Sequence, residues 1–194
     1  VFDPERAAGK QSFDEGPGRV TGMLLRVMLP FALIVAIAFL AFLPLNWREP
    51  LENRDVLVIF NVTLFASMAM IVGVTPIAVR ALDRHALVWL RRGVATLAAL
   101  AMVVGLYSLA AFLYRTSEGQ LTPNRLTFTG WNVVNVGVLA LLLWRMLRGR
   151  ADEWLSAVHR TVAQAMVPYA VWAIALCLLL PWLFRVNVAD LGCD

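Results

Sequence analysis

Five long stretches of this chain contain no Asp, Glu, Lys or Arg: residues 28–45, 56–79, 93–114, 126–144 and 161–184. Each reaches or approaches the ~20 residues a helix needs to cross the hydrocarbon layer of a bilayer. A backbone placed in hydrocarbon has to satisfy its own hydrogen bonds, and continuous apolar runs of this length do so as helices rather than as alternating barrel strands. The predicted fold class is therefore all-α, a polytopic transmembrane helix bundle of about five spans. With interfacial residues included, the spans are placed at 23–45, 56–80, 93–114, 123–146 and 160–184, in a transmembrane domain over 23–185. A polar tail at 1–22 precedes it and a short tail at 186–194 follows. Hydrophobic residues make up 60% of the 194 and charged ones 15%, against roughly 45–50% and 25% in a soluble domain, so no additional soluble domain is expected.

The net charge of +4 could suggest nucleic acid, but the basic residues cluster at span ends, where they anchor to headgroups and set orientation. Nucleic acid is therefore not an expected partner. Assigning alternate loops to opposite sides gives a lopsided count. Arg6, Lys10, Arg19, Arg26, Arg80, Arg84, Arg91, Arg92, Arg145, Arg148, Arg150 and Arg160 fall on one side, and Arg48, Arg54, Arg115, Arg125 and Arg185 on the other, twelve against five. The rule that cytoplasmic loops carry the Lys/Arg excess puts the N-terminus inside and the C-terminus outside. Lys10 is the sole lysine among these seventeen basic residues, a bias typical of a GC-rich bacterial genome. The expected location is the bacterial cytoplasmic membrane. Cys177 within the fifth run and Cys193 beyond it are too separated for the ~5.5 Å Cα spacing of a disulfide.

Local signals place several boundaries. Pro30 lies near the start of the first span, where a missing backbone donor costs little, and Pro44 and Pro50 bracket the first outer loop. Asn46, Trp47 and Arg48 read as a headgroup-level anchor. Thr75-Pro76 closes the second span with a possible site for a kink. Residues 82–90 are expected as a short amphipathic stretch on the inner surface. Thr122 is expected to cap a helix whose first turn holds Pro123. Small residues on one face allow close helix approach in lipid, so Ala98, Ala101, Gly105 and Ser108 of the third span are expected to pack on Ala66, Ala69 and Gly73 of the second.

Uncharged polar residues gather toward the outer ends of three spans: Asn61 with Thr63, Tyr107 with Ser108, and Thr129, Asn132 and Asn135 at three-residue spacing. A rise of ~1.5 Å per residue puts them at comparable depths. Asn61, Tyr107, Ser108, Thr129, Asn132 and Asn135 are the candidate lining of a pocket for a lipid headgroup or other polar ligand. The plainer reading is hydrogen bonding between helices, worth ~0.6 kcal/mol and up to ~2 per contact. His85 and His159 are weak candidates for a metal, haem or pigment ligand, because neither has Cys or His partners at ligand spacing. No cofactor is predicted, and bound lipids are. Asp, Glu, Lys and Arg are missing from all five runs, which argues against an ion-coupled pump or a voltage sensor.

No His-Glu-x-x-His, phosphate-cradling glycine loop or Gly-x-Ser-x-Gly is present, so no enzyme activity is expected. Leu121-Thr122-Pro123-Asn124-Arg125-Leu126-Thr127 is similar to the start of the first helix of CDP-alcohol phosphotransferases. The aspartate-rich motif that carries that family's chemistry is missing; Asp152 and Glu153 stand in a different arrangement. A wider likeness runs from about Trp47 to Trp144. Arg54-Asp55-Val56-Leu57, Phe60-Asn61-Val62, Leu113-Tyr114-Arg115, Gly119-Gln120-Leu121-Thr122-Pro123-Asn124-Arg125 and Gly130-Trp131-Asn132 together resemble a group of uncharacterised bacterial polytopic membrane proteins. Gln120, and Phe60 where Tyr is common, depart from that group's phrases. The resemblance implies that this segment is the later part of a longer multi-span chain, and it implies no activity. The first functional expectation is thus a non-catalytic accessory or scaffold subunit of a bacterial membrane assembly, with lipids and other membrane subunits as partners. The second is a transporter or a lipid- or small-molecule-binding protein using the outer pocket. The third is a pigment- or haem-associated subunit.

Overall fold

The computed structural model describes residues 17–48, 54–75, 84–118, 122–149 and 153–184. Helix α1 spans Pro17–Phe42 and runs into a 3-10 turn at Leu43–Asn46; α2 spans Arg54–Val74, α3 Arg84–Glu118, α4 Pro123–Arg148 and α5 Trp154–Leu183. All five are long and apolar enough to cross a membrane. Among the described residues the architecture is an all-α bundle of five transmembrane helices, and the protein is a multi-pass membrane protein. The tail before Pro17, Pro50, the kink expected at Pro76, Leu82 with Asp83, and everything after Phe184, Cys193 included, lie outside the described residues.

Helix α3 is central. It packs on α1, α2 and α4, while α5 is joined to the bundle chiefly through α4. Its small residues Ala98, Ala101, Gly105 and Ser108 are all buried, and a Cβ on Gly105 would come within 2.9 Å of Val136 on α4 and 3.5 Å of Leu64 on α2. The partner face on α2 differs from the expected one. Ala66 and Ala69 point outward, and Gly73 receives Leu25 of α1. The buried stripe of α2 is instead Leu57, Phe60, Leu64, Ile71 and Val74. Large side chains of α2 thus fill the shallow face of α3, which closes the gap better than two small faces would.

Helix α2 stops at Val74, just before the Thr75-Pro76 pair expected to close it, because a residue before proline is driven out of the α region; Thr75 is left to bond Ile71 O through its hydroxyl at 2.6 Å. Two other boundaries differ from the sequence-based placement. Residues 84–90 do not form a separate surface stretch but continue into α3 without a break. Leu90, Val94 and Leu97 are buried and Leu87 packs beside them, so the helical stripe carries on while Arg84, His85 and Arg92 occupy the other face. Similarly, α5 begins at Trp154 rather than near 160, since Trp154, Leu155, Val158 and Thr161 form a buried stripe ahead of the apolar run. Helix α3, at 35 residues, is about 52 Å long and overshoots the ~30 Å hydrocarbon core.

Candidate ligand cavity

The bundle has two polar regions of different construction. One is a cavity of about 510 Å³ where α2 begins, α3 ends and α4 begins. Helix α4 has a defined start there: Thr122, in an extended conformation, accepts a hydrogen bond from Arg125 N at 3.3 Å, and Pro123 occupies the first turn. Thr122, Pro123, Asn124, Arg125 and Phe128 form the α4 wall. Leu57, Val58 and Asn61 come from α2, and Phe112 and Arg115 from α3. The Phe112 and Phe128 rings are stacked 5.9 Å apart and belong to a small apolar cluster with Leu57 and Ala111. The cavity is therefore apolar in its body and basic toward its mouth.

Two groups in it lack protein partners. Asn61 is only 3% exposed. Its Nδ2 donates to Leu57 O at 2.8 Å, whereas its buried Oδ1 accepts nothing. The Leu57 carbonyl has no proton to give, so the amide cannot be turned round without losing that bond. Arg115 is half-buried, and its Nη1 is buried with no acceptor. Its carbonyl oxygen takes a hydrogen bond from Arg125 Nη1 at 2.7 Å, which ties the end of α3 to the start of α4. A buried acceptor left unsatisfied costs about 1–3 kcal/mol, and a charged donor more. A ligand that completes both groups recovers part of that cost.

The second polar region is a seam joining α3, α4 and α5. Asn132 Nδ2 donates to Ser108 Oγ at 3.3 Å, and Tyr169 Oη donates to Asn135 Oδ1. Both asparagines are fully buried. One half of each amide, Asn132 Oδ1 and Asn135 Nδ2, has no partner, but each amide already links two helices and neither borders the cavity. Beside them Trp172 lies against the backbone of Gly130, where a Cβ would fall 1.9 Å from its ring. Tyr107 Oη donates to Trp47 O, holding α3 to the turn after α1. Thr129 sits half-buried on α4 between the two regions.

Of the six pocket candidates nominated from the sequence, the structure brings only Asn61 to the cavity. Tyr107, Ser108, Asn132 and Asn135 are engaged in contacts between elements. Arg115, Thr122, Asn124 and Arg125 were not nominated for binding: the arginines read as topological anchors and the threonine as a cap. Asn124 and Arg125 follow the cap Thr122 in the sequence and share its helix start at the cavity. His85 is exposed in the first turn of α3. His159, also exposed, edges an apolar hollow of about 280 Å³ with Val72, Thr75 and Met166. Among the described residues no group of three His, Cys, Asp or Glu side chains could hold a metal ion.

At the opposite end of the bundle two arginines, Arg145 and Arg91, are bonded to protein. Arg145 donates from Nη1 to Thr161 Oγ1 at 3.0 Å and from Nη2 to Gln164 Oε1 at 2.5 Å. Arg91 Nη2 reaches Met146 O at 3.2 Å. These bonds close the α3–α4–α5 side of that end.

Fold and cavity together define the class: a five-span helical membrane protein with a basic-mouthed, partly apolar cavity at one end. Comparison with protein-family models, with curated proteins and with solved structures gave no match.

Proposed function

We propose that this is a bacterial cytoplasmic-membrane protein that binds a lipid or small amphiphilic molecule in the cavity between α2, α3 and α4. The carrying observation is the Asn61 Oδ1, buried and unpartnered in the wall of a cavity. The twelve-to-five asymmetry of lysine and arginine supports an orientation with the cavity at the outer face and the N-terminus inside. The role is holding rather than chemistry. Among the described residues the polar groups around the cavity are amides, hydroxyls and guanidiniums, which are poor proton-transfer groups near neutral pH. The cavity favours the binding expectation over a purely scaffolding one, because a scaffold has no use for an open, partly polar space of this size.

The test is native mass spectrometry of the full-length protein extracted in a mild non-ionic detergent. Wild type is compared with Asn61→Leu and with the double variant Asn132→Leu, Asn135→Leu. The expected result is a retained small molecule that Asn61→Leu loses and the double variant keeps. The reverse pattern would overturn the assignment of the site.

A further inference from the structure

We infer that the cavity's ligand is an anionic amphiphile that also carries a hydrogen-bond donor, a hydroxyl or amide N–H. This rests on the cavity being a binding site, and it goes on to name what binds.

The charge follows from the mouth. A guanidinium stays protonated in any environment a protein offers, and Arg115 buries one of its nitrogens there without an acceptor. Among the described residues that line the cavity none is a carboxylate. The first turn of α4 also faces it through Thr122, Pro123 and Asn124, and the positive end of a helix dipole favours an anion at that position. Phosphate and carboxylate both fit this chemistry, whereas a quaternary ammonium does not.

The donor follows from Asn61. Because Nδ2 is held by Leu57 O, what is missing at Asn61 is a proton donor, so an ester or ether oxygen would not serve. The chain follows from the walls: Leu57, Phe112 and Phe128 offer apolar surface to an alkyl segment, and about 510 Å³ lies in the range of ordinary ligand pockets.

Four probes separate these elements in titrations of the full-length protein, followed by native mass spectrometry in a maltoside detergent. They are lauroylglycerol phosphate, dodecyl phosphate, lauroylglycerol and inorganic phosphate. Lauroylglycerol phosphate is expected to fill one site, about fivefold more tightly than dodecyl phosphate, which lacks the hydroxyl. Asn61→Leu should bring the first probe down to the affinity of the second. Arg115→Gln should weaken both by about tenfold or more, with Arg115→Lys recovering part of the loss and showing that the fold survives. If lauroylglycerol binds as tightly as its phosphate and still depends on Asn61, the anionic class is wrong while the cavity remains a binding site. Equal binding of inorganic phosphate would overturn the amphiphile in favour of a free anion. If neither variant alters the binding of any probe, both this inference and the proposed function fail.

Discussion

Asn61 on α2 and the Asn132–Asn135 pair on α4 lie within the same bundle, and their amides are used in different ways. On α4 each asparagine spends a hydrogen bond on another helix, Asn132 with Ser108 of α3 and Asn135 with Tyr169 of α5. On α2 the single bond made by Asn61 returns to its own backbone one turn earlier and holds no other helix. In a membrane, where lipid competes for apolar contacts, amides that cross between helices contribute to assembly. An amide that does not cross, yet is buried beside a cavity, contributes little to assembly and leaves an acceptor available. Residue type alone does not separate the two uses; what each amide faces does.

Four variants test that contrast, with Asn61→Leu as the counterpart to the paired change on α4. Gly130→Val places a side chain where the Trp172 ring now lies, with a Cβ site 1.9 Å from it. The seam has to open, and a loss of about 3 kcal/mol is expected, read as a lowered unfolding midpoint in denaturing detergent. A stability equal to wild type would mean that Trp172 is not seated in the seam. The paired change Asn132→Leu, Asn135→Leu removes two inter-helix hydrogen bonds, for which about 1–3 kcal/mol in total is expected; Asn61→Leu, by contrast, should leave the midpoint nearly unchanged. Equal losses from the two would erase the distinction. Thr122→Ala deletes the cap of α4 at a cost of about 1 kcal/mol. Its informative readout is amide hydrogen exchange, which should rise in the first turn of α4 and remain unchanged in the seam.

The five spans were legible because one requirement, backbone hydrogen bonding in hydrocarbon, acts along the chain and leaves a mark that can be read locally. The early starts of α3 and α5 were missed for a related reason. Arg84, Arg91, Arg92 and Arg160 interrupt the apolar runs, but at helical spacing they share turns with Leu87, Leu90, Val94 and Val158, whose other face is packed. Counting charges along the chain hides a stripe that turns with the helix. Asn61 was legible as a polar residue within a span. Arg115 and Arg125 were not legible as cavity residues, because their position depends on three helix ends meeting, and the same arginines satisfy the orientation rule equally well. The small-residue pairing of α2 with α3 was half legible: the α3 face is buried as its composition suggests, but its complement on α2 is bulky.

One consequence follows from the unbroken course of α3. It has no proline, unlike α1 with Pro30 and α5 with Pro168 and Pro181, so it behaves as a stiff lever longer than a bilayer's hydrocarbon core is thick. A tilt of about five degrees about its midpoint shifts each tip by about 2 Å. Any such tilt that displaces Arg115 at one end also displaces Arg84 and His85 at the other.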